Sequence, residues 1–61
     1  MSELESELER LVDNESLVEV LTALIVVCRT KSENGNPHGT AWNVAAGRLE
    51  RVATAISRLG V

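Results

Sequence analysis

Residues 34–39, Asn-Gly-Asn-Pro-His-Gly, form the strongest chain breaker in this 61-residue sequence, and they divide it into two helix-forming halves. Gly35 suits the left-handed conformation that ends helices, so Asn34-Gly35 reads as a helix stop. Asn36-Pro37 can start the next helix as cap and first residue, with Thr40 the later candidate because Gly39 weakens any turn begun before it. The second half carries apolar residues in a heptad: Trp42, Ala45, Leu49, Val52, Ile56 and Leu59. It runs as a helix to Leu59 and ends at Gly60.

The first half opens with Ser2 and Glu5, a capping box whose hydroxyl and carboxylate each reach a free amide. Leu4, Leu8 and Leu11 then share one helical face. A second capping box, Ser16 with Glu19, stands directly before the apolar run Leu17 to Cys28. Helical phase separates the two stretches. At ~100° per residue, with Leu17 at zero, a straight continuation puts Leu4, Leu8 and Leu11 at ~120–180°, on the side of Glu19 and Thr22. The chain therefore either bends at 13–16 or packs one long helix against different neighbours; a bend is the expectation. Ile25-Val26-Val27 alone would suit a strand, but the apolar positions around them do not alternate.

The expected fold is all-α: helices at about 3–12, 17–32 and 40–59 in a single small domain. The latter two form an antiparallel hairpin, and the first is a helical arm. A domain this small buries only about 60% of the surface its unfolded chain exposes. Such scaffolds usually add disulfides, a metal or oligomerisation. Cys28 is the only cysteine, and one cysteine with one histidine is too few for a closed zinc site of about four ligands. Neither a metal nor another cofactor is expected. Oligomerisation remains, as a homodimeric four-helix-type bundle or a higher assembly. Its expected interface is Leu21, Leu24, Ile25 and Cys28 against Trp42, Leu49, Val52 and Ile56.

Charge is divided unequally. Residues 1–33 hold eight acids against Arg10, Arg29 and Lys31, or −5; residues 34–61 hold Glu50 against Arg48, Arg51 and Arg58, or +2. Opposite signs favour the halves lying side by side, within one chain or across a dimer. The acidic start lacks the basic and then apolar order of a secretory signal. The twelve residues from Leu17 to Cys28 fall short of the ~20 needed to span a bilayer. With a single thiol, these features lead us to expect a soluble cytoplasmic chain without a membrane partner.

Residues with chemical potential are few. Cys28 falls within an apolar helical arc and reads as a buried thiol, and His38 reads as a turn residue. Glu3, Glu5, Glu7 and Glu9 lack the Glu-x-x-His pattern of helical di-iron sites. Trp42, the only aromatic residue, reads as an anchor of the heptad seam. Gly47 is either pressed by a neighbour or a surface glycine that costs ~1 kcal/mol relative to alanine. No catalytic residues are assigned. The expected role is a non-enzymatic interaction protein that pairs with itself and, as an adaptor or regulator, with another protein. The alternative is an RNA- or DNA-binding regulator that uses Arg48, Arg51 and Arg58, which lie within ~80° of one another on the last helix.

Overall fold

The computed structural model describes residues 2–35 and 37–61. Three helices, α1 (Glu3–Glu15), α2 (Leu17–Glu33) and α3 (Gly39–Ser57), account for most of them, and no strand occurs among the described residues. The expected hairpin is present: α2 packs along α3, while α1 packs only lightly on α2 and does not reach α3.

Each helix end follows from local chemistry. The Ser2 hydroxyl accepts from the Glu5 amide at 3.1 Å, which caps α1. At the bend, the Ser16 amide donates to the Val12 carbonyl at 3.0 Å while its hydroxyl accepts from the Glu19 amide at 3.2 Å. One serine thus closes α1 and opens α2. This requires φ of +119° at Ser16, the only positive φ at a non-glycine residue among those described. Such backbone costs about 1–3 kcal/mol and persists only where its surroundings hold it. The bend expected at 13–16 is real, and it falls at the last of those residues.

The breaker is shorter than expected. Gly35 takes φ of +69° just after α2, but Gly39 is already helical and His38 is the N-cap of α3, with no side-chain capping bond to the first amides of the helix. A Cβ at position 39 would lie 3.1 Å from the Ser32 carbonyl oxygen, so glycine lets the two helix ends approach closely. The expected cap Asn36 lies outside the described residues.

At its far end α3 stops at Ser57, two residues before the expected Leu59. A turn then carries the chain back, with Leu59 donating to the Ile56 carbonyl and Gly60 at φ of +79°. The Val61 carbonyl oxygen arrives at the start of α2 and accepts from the Leu17 amide at 2.7 Å and the Val18 amide at 3.4 Å. These are two of the orphan donors that every helix N-terminus carries.

The core is small. Ile25 and Cys28 of α2 meet Ala46 and Ala53 of α3, with Leu21, Trp42 and Leu49 packed around them. Ala46 is completely buried at 0% exposure. Small residues at the crossing allow close helix axes, toward the lower end of the ~8–10 Å range. The Arg29 guanidinium donates to the Glu50 carboxylate across the seam. The Lys31 ammonium stands 5.6 Å from the centroid of the Trp42 ring.

Replacing Ser16 separates its two roles. Ser16→Ala removes the cap and keeps the unfavourable φ, so stability should fall by about 1 kcal/mol or more in urea unfolding. Ser16→Gly relieves the backbone and gives up only a few tenths of a kcal/mol of capping, so it should match or exceed the wild type.

Candidate functional site

The molecule measures 33 × 29 × 15 Å, and its smallest dimension is little more than one helix. Its radius of gyration is 12.8 Å, against about 10.5 Å for a compact 61-residue domain. A single layer of helices leaves both broad faces open, and the two differ.

The Arg29–Glu50 bond marks one face. Thr22, Val26, Arg29, Glu50 and Thr54 line it together. With Ile25 at zero these α2 residues lie ~40–100° to one side, and with Leu49 at zero Glu50 and Thr54 lie ~100–140° in the same sense. In an antiparallel pair, equal senses point to the same side. The opposite face must then carry Val20, Leu24 and Val27 at ~−100 to −160° on α2, with Lys31 among them at ~−120°, and Ala45 and Val52 at ~−40 to −60° on α3, with Arg48 beside them at ~−100°. Apart from the exposed Lys31 and Arg48, these residues are apolar.

Leu8 and Leu11 of α1 extend this surface. Together with Val20, Ala23, Leu24 and Val27 they line a groove of about 350 Å³ between α1 and α2, and Glu15 and Glu19 stand beside it. A second depression, lined by Ala41, Val44, Ala45, Arg48, Leu49 and Val52, runs along α3. Leu8, Leu11, Leu24, Val27, Val44, Val52 and Leu59 are all exposed. Single exposed aliphatic residues are ordinary on soluble proteins, but a contiguous set on one face is informative.

The expected interface residues divide between two surfaces. Leu21, Ile25, Cys28, Trp42 and Leu49 belong to the seam within the chain. Leu24 and Val52 lie on the open face at 42% and 46% exposure, and Ile56 is half-buried. Sequence reasoning missed Ala46 and Ala53 as the true floor of the seam. The signal was there: positions 42, 46, 49 and 53 also step by four and three, but the bulkier heptad through Ala45 and Val52 drew the reading away.

Arg48, Arg51 and Arg58 lie on the outer edge of α3, away from α2, and all three are exposed. Cys28 is buried between α2 and α3, whereas His38 is exposed in the turn. A Cβ at Gly47 would meet nothing within 4 Å, so this is a surface glycine rather than one pressed by a neighbour in the chain. Among the described residues, no helix is long and apolar enough to cross a membrane.

No protein-family model, curated protein or solved structure matches this chain.

Gly47 is on the side of α3 away from the apolar face, beside Glu50 and Thr54. Gly47→Ala should therefore raise stability by about 0.5–1 kcal/mol and leave the mass in solution unchanged, as read by thermal melts and sedimentation.

Proposed function

We propose that this protein is a non-enzymatic, homo-oligomeric helical interaction module whose working surface is the open apolar face. One observation carries the reading. The chain exposes 4683 Å², about 800 Å² more than the ~3,900 Å² expected of a compact monomer of its mass. Part of the exposed aliphatic surface, Leu24, Val27, Val44 and Val52, lies on one face, which Leu8 and Leu11 extend, while Val26 is exposed on the other. Domains are normally built from two packed layers, and this chain provides one. A second layer has to come from another chain.

The role favoured is adaptor or regulator, because the built feature is a surface rather than an enclosed pocket with converging polar groups. A nucleic-acid role has less support. The arginine edge of α3 has no aromatic side chain to stack on bases, and α1 is strongly acidic.

Sedimentation velocity at about 1–100 µM tests the proposal, with thermal melts over the same range. The expected result is a mass of two or more chains and a midpoint that rises with concentration, since association stabilises the folded state by mass action. A cooperatively folded single chain with a concentration-independent midpoint would overturn it.

A further inference from the structure

The open face has two unlike edges. α1 carries Glu3, Glu5, Glu7, Glu9, Asp13 and Glu15 against Arg10: six acids and one base, or −5. α2 is neutral, with Glu19 and Glu33 against Arg29 and Lys31. α3 with its cap residue Arg58 carries three arginines against Glu50, or +2, and Glu50 is already engaged by Arg29. Because α1 does not reach α3, the acidic and basic edges cannot meet within one chain.

Resting on the reading above, we propose that the apolar face is covered by a second copy of this chain, turned by a two-fold axis parallel to α2. This rotation puts α3 of each copy under α2 of the other, running antiparallel to it. The arginine edge of that α3 then faces the acidic α1 beyond the groove of Leu8, Leu11 and Leu24. This charge contact forms twice, as the self-complementary patch of a two-fold dimer requires. The other face-to-face arrangement, with the axis across the helices, sets α1 on α1 and α3 on α3. That pairs like charge with like and is disfavoured. Area agrees with a dimer: the surplus surface is close to the ~800 Å² that each partner buries in a standard interface.

The test is a charge-reversal cycle on the intact chain, read as the dimer dissociation constant. Glu5→Lys, Glu7→Lys and Glu15→Lys, the acids within ~90° of the Leu8–Leu11 side of α1, together add six charges and take the net charge from −3 to +3, so overall self-repulsion keeps its magnitude. Circular dichroism should show the arm intact. Dissociation should weaken by about ten-fold or more. Adding Arg48→Glu, Arg51→Glu and Arg58→Glu to the same chain returns the net charge to −3, and affinity should recover to within about three-fold of the wild type. Arg48→Gln, Arg51→Gln and Arg58→Gln alone, which leave α1 untouched, should weaken pairing by about three-fold or more.

A wild-type dimer indifferent to the acid-to-lysine changes would overturn the two-fold arrangement while leaving the interaction module standing. A wild type that remains a folded single chain at 100-µM-scale concentrations, about the top of the range used above, would overturn both.

Discussion

A helix with one neighbour can hide only one side of itself, and this constraint governs the whole molecule. α2 and α3 meet through Ile25, Cys28, Ala46 and Ala53, a contact narrow enough for alanine to be its most buried residue. Close approach of the axes makes a firm hairpin but consumes little apolar surface. The leucines and valines therefore remain outside, on the face that the alanines do not use. Small core and large open face are one feature: the residues that let the helices touch are not the residues that need shelter from water.

The division of labour along α3 shows this most clearly. Two heptads are interleaved on the helix, one through Ala46 and Ala53 and one through Ala45 and Val52. The first serves the chain's own α2. The second, with the groove leucines of α1, faces outward together with Leu24 and Val27. Charge is sorted the same way. It runs from acidic α1 through neutral α2 to the basic edge of α3, so each molecule has two unlike edges and an uncovered plane between them.

Much of this was legible in the order of residues. The helical class, the hairpin, the stop at Asn34-Gly35 and the bend before Leu17 follow from capping serines, a glycine and helical phase, all of which act over a few residues. What escaped was non-local. Nothing in the neighbourhood of Ala46 announces that it becomes the most buried of the described residues; packing with Ile25 and Cys28 of α2 makes it so. The early end of α3 escaped for a similar reason, since Gly60 marks a turn but cannot tell that Val61 is being returned to α2. His38 as the cap of α3 was equally hidden, because its side chain makes no capping bond that a motif would record.

The returning carbonyl of Val61 has a kinetic meaning as well. The first amides of α2 are satisfied by a residue 44 positions later in the chain. During synthesis the N-terminal end of that helix stays incomplete until position 61 has left the ribosome. Bringing its ends together then requires α3 to be formed and docked. Such a long-range closure is entropically costly and comes late in folding. The start of α2 is thus tied to the assembly of the entire hairpin, so its fraying should track hairpin opening rather than proceed on its own.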